Sequence, residues 1–329
     1  MQRRMLGRTS LEVSEIGFGG WGIGKSMWGR TEDAESMQAL KAAVDAGINY
    51  FDTAAAYGHG HSERLIGRLS KELGAAAGSL VVSTKIPPRN MEWPASRATP
   101  LKIAFPPDWI EQSVENSLRN LRFETLPLEQ FHVFSDHWLK DPLWPEVAAA
   151  FDRLKRQGKI RFVGASLNSD DPESASGLIE SGFVDQVQVL FNIFDQRAAD
   201  RLFGLCRGKG VGVVVRCPFD EGGLTGDLRP GLKFDPQDFR SHYFGGERLA
   251  ETCRRVEALK PAVLGSKAPT LAVAAIKFAL SFPEVSTVIP GMRRESHVRL
   301  NAAAADGNYY SPAELAAIAK HRWVRDFYA

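Results

Sequence analysis

The sequence has little cysteine: its three thiols, Cys206, Cys217 and Cys253, lie far apart and include no C-x-x-C pair. An odd number of widely spaced cysteines argues against a disulfide framework and against a cysteine zinc site. Reduced thiols are typical of the cytoplasm, so we expect a cytoplasmic location. The basic segment from Met1 to Ser10 is followed by charged residues rather than by an apolar run, so no signal peptide is expected.

Long apolar runs and an excess of one charge are also lacking. No stretch reaches the roughly 18 uncharged apolar residues that would indicate a membrane span. The 41 basic and 39 acidic residues are spread along the chain and leave a formal net charge of +2. This balance gives no electrostatic footprint for nucleic acid or an anionic membrane. We therefore expect a small-molecule partner, while the sequence gives no indication of the oligomeric state.

Short apolar runs alternate with helix-length amphipathic segments along the whole chain, a pattern typical of parallel β-α units. Eight units can be counted, which predicts a (β/α)8 TIM barrel of the α/β class as a single domain over 1–329. The candidate strands are Ile16 to Phe18, Tyr50 to Asp52, Leu80 to Thr84, Gln130 to Phe134, Ile160 to Gly164, Val187 to Leu190, Val211 to Val215 and Thr287 to Ile289. The candidate helices are Glu32 to Ala46, Ser62 to Glu72, Trp109 to Asn120, Glu146 to Gln157, Ser174 to Ser181, Arg197 to Arg207, Arg248 to Leu259 and Thr270 to Ser281.

Two long segments interrupt this rhythm. Residues 87–108 follow the third strand and contain six prolines and Trp93, and residues 220–246 follow the seventh strand and are rich in glycine and aromatic residues. Both begin at the C-terminal ends of strands, where barrel enzymes build their sites, so both are candidate lids over a ligand. The alternative is that they are insertions that contact no ligand.

Four residues that could carry chemistry, Asp52, Tyr57, Lys85 and His132, fall at or just beyond the ends of the second, third and fourth strands. Strand ends converge at one mouth of a closed barrel. Reduction of a carbonyl needs an acid near the developing alkoxide, and a lysine ammonium beside a phenol would lower the pKa of the tyrosine. Asp52 would then hold the ammonium, and His132 would orient the carbonyl oxygen.

The segment from Gly47 to Gly58, GINYFDTAAAYG, resembles the G-x-x-x-x-D-T-A-x-x-Y-G signature of the aldo-keto reductases, and Glu63 follows at the expected distance. Thr84-Lys85 is similar to the lysine motif of that family, and Gln130-Phe131-His132 is similar to its Q-L-H strand. The resemblance runs from Leu6 to Asn301. It implies an NAD(P)H-dependent oxidoreductase that reduces an aldehyde or ketone to an alcohol by hydride transfer. It also implies that Asp52, Tyr57, Lys85 and His132 form the catalytic tetrad, with Tyr57 as general acid.

The register of the fourth strand has an alternative, because Glu129 could be aligned with the acidic residue that often precedes this strand in the family. That alignment would move the catalytic position to Phe134. The Gln-x-His register is preferred because it places Gln130 and His132 on the same inward face.

The resemblance also assigns the nicotinamide half of a cofactor site, with departures. Ser166 and Asn168 resemble the serine and asparagine that bind the nicotinamide carboxamide, although Leu167 stands where the asparagine usually is. Gln188 matches the glutamine that also binds this carboxamide. Arg216, ahead of Pro218 and Phe219, replaces the aromatic residue that stacks on the nicotinamide. A guanidinium plane can also stack on a ring, and the alternative is a salt-bridged arginine at the barrel end. Gly20 and Trp21, after the first strand, are assigned to the same site.

At the other end of the cofactor, the segment from Gly222 to Gly226, including Leu224, resembles a glycine-containing loop over the pyrophosphate. The adenosine end resembles the family motif through Pro290, Gly291, Met292, Arg293, Arg294, His297 and Asn301. Gly291 stands where some members carry a lysine for the 2′-phosphate, so Arg293 or Arg294 would bind that group. The arginines favour NADPH over NADH. The alternative is that the two arginines are solvated residues at the start of a helix and bind no phosphate.

Two rival functions compete with this interpretation. Related folds can hold a nucleotide as a non-catalytic sensor or regulatory module. A metal-dependent hydrolase is suggested by His59, His61, His132 and His137, but the first two lie in a loop without a clear carboxylate partner, so we expect no metal.

Overall fold

The computed structural model of the chain describes residues 1–25, 27–29, 31–93 and 98–324. Its strands are β1 (Arg3–Met5), β2 (Glu12–Ser14), β3 (Phe18–Gly19), β4 (Tyr50–Asp52), β5 (Val81–Ile86), β6 (Leu126–Phe134), β7 (Ile160–Leu167), β8 (Gln186–Leu190), β9 (Gly212–Arg216) and β10 (Val285–Val288).

Its helices are α1 (Asp33–Asp45), α2 (His61–Leu73), α3 (Leu101–Ala104), α4 (Pro107–Leu121), α5 (Trp144–Arg156), α6 (Ser176–Glu180), α7 (Leu202–Lys209), α8 (Phe239–Tyr243), α9 (Arg248–Val263), α10 (Leu271–Leu280), α11 (Glu295–Ala303) and α12 (Pro312–Ala319). Within the described ranges, no helix has both the length and the apolar character needed to cross a membrane.

Strands β3 to β10 form one parallel sheet in which neighbours along the chain are neighbours in space. The two edges of this sheet are joined, because Ile16 bridges Val288 and Gly19 bridges Gly291, both in parallel. The backbone N–H of Gly17 donates to the carbonyl of Val288 at 2.8 Å. The sheet therefore closes on itself, and the predicted (β/α)8 barrel is confirmed.

Alternation along the barrel strands separates an apolar floor from a polar mouth. Tyr50, Val81, Leu128 and Val214 belong to one buried apolar cluster inside the barrel. Because side chains two residues apart share a face of a strand, the residues further along these strands also point inward. In this way β4, β5, β6 and β9 carry Asp52, Lys85, His132 and Arg216 into the C-terminal mouth.

A hairpin formed by β1 and β2, which the sequence patterns did not predict, closes the opposite end of the barrel. Leu6, Leu11 and Val13 pack into the same apolar cluster as Tyr50. The Arg4 guanidinium donates to backbone carbonyls near the start of β10 and, from Nε, to the Glu15 carboxylate at 2.7 Å. The floor of the barrel is therefore sealed by apolar packing.

The helical predictions differ from the structure mainly at the ends. Helix α4 begins at Pro107 rather than Trp109, because proline at the first helical position loses no hydrogen bond. Helix α7 begins only at Leu202, and a separate 3-10 turn covers Arg197–Ala199. Helices α11 and α12 lie beyond the last predicted helix and were missed.

Both predicted long loops are present, and each contains a short helix that sequence patterns did not indicate. Helix α3 lies in the segment after β5, and residues 94–97 of that segment lie outside the described residues. Helix α8 lies in the segment after β9, where the Asp238 side chain caps it by accepting from the backbone N–H of Arg240 at 2.9 Å. Both segments lie on the side of the barrel where the polar mouth opens.

Replacement of Leu6 by alanine tests the sealed floor. Leu6 is fully buried under the barrel, so Leu6→Ala is expected to lower the free energy of unfolding by about 2–5 kcal/mol in urea titrations. Leu300→Ala, at a position that is 44% exposed, serves as the control and is expected to change it by less than about 0.5 kcal/mol. Equal effects of the two substitutions would contradict this role of the hairpin.

Candidate active site

A buried ion pair lies at the centre of the mouth. The Lys85 ammonium donates to both Asp52 carboxylate oxygens at 2.7 and 2.8 Å and to the Thr53 carbonyl at 2.7 Å. Gln188 adds a bond from its amide to Asp52 Oδ1 at 2.6 Å. Lys85 is fully buried and Asp52 nearly so, which makes mutual compensation necessary.

Tyr57 lies directly above this pair. Its hydroxyl is 3.3 Å from Lys85 Nζ, and the ammonium is 4.8 Å from the centre of the tyrosine ring. Tyr57 belongs to the turn between β4 and α2, and its backbone N–H donates to the Ala54 carbonyl at 3.0 Å. The D-x-x-x-x-Y spacing therefore brings the phenol back over the end of the strand that carries Asp52.

The His132 ring stands edge-on to Tyr57, with 5.8 Å between the ring centres. The His132 backbone carbonyl accepts a hydrogen bond from Trp93 Nε1 at 2.7 Å. The Trp93 ring also packs against the His132 ring, with 5.6 Å between the ring centres. On the other side of the mouth, Trp21 stacks on Tyr57 at 6.1 Å. Aromatic rings thus form walls on two sides of the four candidate catalytic residues.

The structure places Phe134, the alternative position on the fourth barrel strand, outside the barrel. Phe134 contacts Trp138 and Trp144 at 5.6 and 5.5 Å between ring centres. The pairing of β6 with β7 is irregular between His132 and Phe134. This irregularity allows Phe131 and Phe134 to face the helices while His132 faces the mouth.

Burial dominates the electrostatics of these residues. Burial raises the pKa of Asp52 and lowers the pKa of Lys85, and in each case the charge of the partner opposes the shift. Burial lowers the pKa of His132 well below its usual value, with smaller contributions from Lys85 and Arg216, so the ring is neutral at neutral pH. Burial and the Asp52 carboxylate raise the pKa of Tyr57 well above its usual value, although Arg216 opposes this. The phenol therefore keeps its proton, in contrast to the lowered pKa expected from its lysine neighbour.

The residues expected to hold a nicotinamide lie side by side at the ends of β7, β8 and β9. Ser166 is paired in register with His132 on one side and with Gln188 on the other. The Arg216 guanidinium reaches across from β9 and donates to the Leu167 carbonyl at 3.0 Å and to Ser169 Oγ at 2.9 Å. Asn168 follows β7 and is mostly buried. Because Gln188 donates to Asp52, its amide links the residues expected to hold the nicotinamide to the Lys85–Asp52 ion pair.

The loop after β9 contains a run of unusual backbone. Cys217, Asp220 and Glu221 have left-handed φ values of 54°, 50° and 55°, which non-glycine residues rarely adopt and which cluster at functional sites. Gly222 continues the run with a φ of 104°. Pro218 is buried and Phe219 is half-buried against the core, so both face the protein on at least one side.

Leu224 and Met292 were both assigned to the cofactor site from the sequence. Both side chains are fully buried in the main apolar core, so at these two positions only the backbone could meet a cofactor. Gly226 and Gly291 nearby are exposed, and no heavy atom of the described residues lies within 4 Å of a Cβ built on Gly291. Gly20 is buried, and a Cβ there would lie 2.5 Å from the Asp52 carbonyl, so its lack of a side chain permits the approach of β4.

At the expected adenosine end, the two arginines differ. Arg294 is exposed and its Nε donates to Glu35 at 3.0 Å. Arg293 is half-buried and donates to the Trp28 carbonyl, so it also supports the loop after β3. The pKa of His297 is lowered by burial and by the charges of these two arginines, which places it beside them. Pro290 is buried and precedes them.

A contact between the two loops at the mouth was not predicted from sequence. The backbone N–H of Phe239 in α8 donates to the Met27 carbonyl at 2.7 Å, and the Phe239 ring lies 5.7 Å from Trp21 and 6.4 Å from Trp28. The signal that could have identified it is the concentration of aromatic residues in otherwise glycine-rich loops. The contact joins the loop after β3 to the loop after β9.

Comparison with known proteins decides the family. A family model described as the aldo/keto reductase family matches residues 15–322. The chain belongs to this family. Members of the family are oxidoreductases that use nicotinamide cofactors and act on small carbonyl compounds.

Individual relatives agree over nearly the full length. The chain is 28% identical to aldo-keto reductase YhdN of Bacillus subtilis, with 89% of this chain and 86% of the relative covered. It is also 28% identical to the NADH-specific methylglyoxal reductase of Escherichia coli, with 94% of each covered. The solved glycerol dehydrogenase AKR11B4 of Gluconobacter oxydans is 25% identical, with a TM-score of 0.78 over 97% of this chain and 94% of that one.

The residues present fit a nicotinamide cofactor. Asn301 is almost fully buried, and its side-chain Nδ2 has no hydrogen-bond partner in the described part of the chain. An unpaired buried amide is costly unless a ligand completes it. Asn301 lies in α11, and Arg294 is the N-cap residue of the same helix. The Asn301 amide donor and the guanidinium groups of Arg293 and Arg294 therefore lie in one region. An adenine nucleotide with phosphates requires this combination of groups.

The four histidines considered for metal binding do not converge. The expectation that His61 lies in a loop without a carboxylate partner was wrong, because His61 begins α2 and pairs with Asp33 at 2.9 Å. His137 contacts Ser135 at 3.0 Å. Over the ranges that the structure describes, no group of three or more histidine, cysteine or carboxylate side chains is arranged to hold a metal ion.

Removing one partner of the central ion pair gives a direct test of its importance for folding. Asp52→Asn leaves the Lys85 ammonium buried without a counter-charge, so we expect a loss of about 3–5 kcal/mol in the free energy of unfolding. Asp108→Asn breaks the exposed contact with Arg89 and is expected to cost less than about 1 kcal/mol. Chemical denaturation at pH 7 measures both, and a small loss for Asp52→Asn would show that the pair is dispensable for folding.

Proposed function

We propose that this protein reduces the carbonyl of an aldehyde or ketone to an alcohol, with NADPH as cofactor and Tyr57 as general acid. The observation that carries the proposal is the position of the Tyr57 hydroxyl 3.3 Å from the fully buried Lys85 ammonium. The His132 ring stands edge-on to that phenol, with 5.8 Å between the ring centres. The three groups together can bind, protonate and stabilise one carbonyl oxygen.

The cofactor, when bound, supplies the hydride that adds to the carbonyl carbon. The substrate oxygen would lie between the Tyr57 hydroxyl and the His132 ring. Because the pKa of His132 is low, the ring is neutral and can donate a hydrogen bond without carrying a charge. Its Nδ1 is buried and has no partner among the described residues, which leaves Nε2 as the nitrogen available to substrate.

Tyr57 then transfers its proton to the oxygen, and the product is the alcohol. The raised pKa of Tyr57 ensures that the proton is present at neutral pH. The tyrosinate left behind is stabilised by the Lys85 ammonium, which Asp52 and the Thr53 carbonyl hold in place. Gln188 fixes the Asp52 carboxylate in turn. The general acid is therefore supported by a second layer of residues that do not touch the substrate.

Ser166 and Asn168, with Arg216 across the mouth, would hold the nicotinamide end of the cofactor. The backbone around Gly222 and Gly226 would face the pyrophosphate. Arg293, Arg294, His297 and Asn301 would bind the adenosine end. NADPH is favoured over NADH because two guanidinium groups lie at this end, although the methylglyoxal reductase relative is NADH-specific.

The direct test is consumption of NADPH, with NADH in parallel, over a panel of aldehydes, ketones, quinones and sugars. Turnover of at least one class is expected. Tight NADPH binding without turnover of any compound would instead indicate a nucleotide sensor.

Tyr57→Phe removes the proton donor and leaves the ring against Trp21 and His132. We expect kcat to fall by about 100- to 10,000-fold, since this is the usual contribution of a general acid. The dissociation constant of NADPH, measured by fluorescence titration, is expected to stay within about threefold of wild type, because the hydroxyl does not face the phosphate end. Tyr309→Phe, far from the mouth, is the matched control. Full activity of Tyr57→Phe would exclude Tyr57 as the acid.

Replacing Arg293 and Arg294 together by alanine tests the cofactor preference. Loss of both guanidinium groups is expected to weaken NADPH by roughly 10- to 100-fold and NADH much less, because only NADPH carries the 2′-phosphate. Arg294→Ala alone separates phosphate binding from the support that Arg293 gives to the Trp28 loop. Equal losses for NADPH and NADH in the double variant would mean that the 2′-phosphate lies elsewhere.

A further inference from the structure

Arg216 occupies the position where the motif of the family begins with an aromatic residue. It is the last residue of β9, two residues beyond Val214, which lies in the apolar cluster inside the barrel. Its side chain therefore enters the mouth rather than the helical layer.

The guanidinium is fixed across three strand ends. Nη2 donates to the Leu167 carbonyl at 3.0 Å and to Ser169 Oγ at 2.9 Å, both at or just beyond the end of β7. Strand β8 lies between β7 and β9, so the side chain passes the end of the strand that carries Gln188. Arg216 therefore lies among the same strand ends as Ser166 and Gln188, the residues assigned to the nicotinamide.

The charge of Arg216 reaches all four candidate catalytic residues. Its positive charge contributes to lowering the pKa of Asp52, Tyr57, Lys85 and His132, in each case against or beside larger effects of burial. Arginine stays protonated under all working conditions. Charges near Arg216 include the Lys85–Asp52 pair and Glu221, which accepts from the Cys217 thiol at 3.2 Å.

We propose that Arg216 makes this site discriminate between the redox forms of the nicotinamide, so that the neutral reduced ring binds more tightly than the cationic oxidised ring. This inference rests on the proposed function, which places the nicotinamide at the ends of β7 to β9. An aromatic face attracts a cation, whereas a guanidinium repels one. The substitution therefore reverses the electrostatic preference at the ring.

The discrimination has a consequence for release of the product. The product complex contains the cationic ring and is weakened relative to the starting complex, so oxidised cofactor leaves more readily after each turnover. NADPH and NADP⁺ share the same phosphates, ribose groups and adenine. The ratio of their dissociation constants therefore reports mainly on the charge of the ring.

The test is titration of the wild-type protein and its variants with NADPH and with NADP⁺, followed by tryptophan fluorescence or calorimetry. Arg216→Gln removes the charge and retains polar donors. It is expected to lower the ratio of the NADP⁺ to the NADPH dissociation constant by about tenfold, which corresponds to about 1.4 kcal/mol. Arg216→Lys keeps a positive charge and is expected to stay within about threefold of the wild-type ratio.

Two further variants complete the design. Arg89→Gln removes an exposed arginine on the loop after β5, changes the net charge equally and is expected to leave the ratio unchanged. Arg216→Phe restores an aromatic residue and is expected to lower the ratio at least as far as Arg216→Gln, and it carries the comparison if the glutamine variant does not fold. An unchanged ratio in the Arg216 variants, with both nucleotides still bound, would overturn the inference. Failure of the wild-type protein to bind either nucleotide would instead contradict the proposed function.

Discussion

The buried contact between Lys85 and Asp52 is the interaction on which the rest of the site depends. An ammonium and a carboxylate are both costly to remove from water, and neither is stable in the barrel without the other. Once paired, they give the mouth a fixed positive group beside Tyr57 and a fixed acceptor for Gln188. The fold places them together because adjacent parallel strands end at the same rim.

Much of this arrangement was predictable because it is encoded locally. The spacing from Asp52 to Tyr57 lies within one turn, and Lys85 lies near the end of the next strand of the barrel. The inward face of His132 follows from its separation from Gln130, despite the irregular pairing beyond it. The eight strands were predictable from local sequence as well. A strand that is buried on both faces forms a short continuous apolar run, and such runs alternate with helical segments along this chain.

Other features depend on contacts between distant segments and could not be read from local patterns. The hairpin that seals the floor has only short strands, and its burial depends on the barrel above it. The sequence motif around Leu224 does not indicate that its side chain packs into the core, because that contact is made with distant residues. The pKa of Tyr57 is raised by burial and, to a smaller extent, by the Asp52 carboxylate. The degree of burial of a side chain cannot be read from local sequence patterns.

The central claim is that Tyr57, His132 and the Lys85–Asp52 pair act on one carbonyl oxygen. A crystal structure of the protein with NADP⁺ and an unreactive carbonyl compound tests it most directly. The account predicts that the carbonyl oxygen lies within hydrogen-bonding distance of the Tyr57 hydroxyl and His132 Nε2, with the nicotinamide at the ends of β7 to β9. A nucleotide bound elsewhere, or a carbonyl oxygen away from both groups, would contradict it.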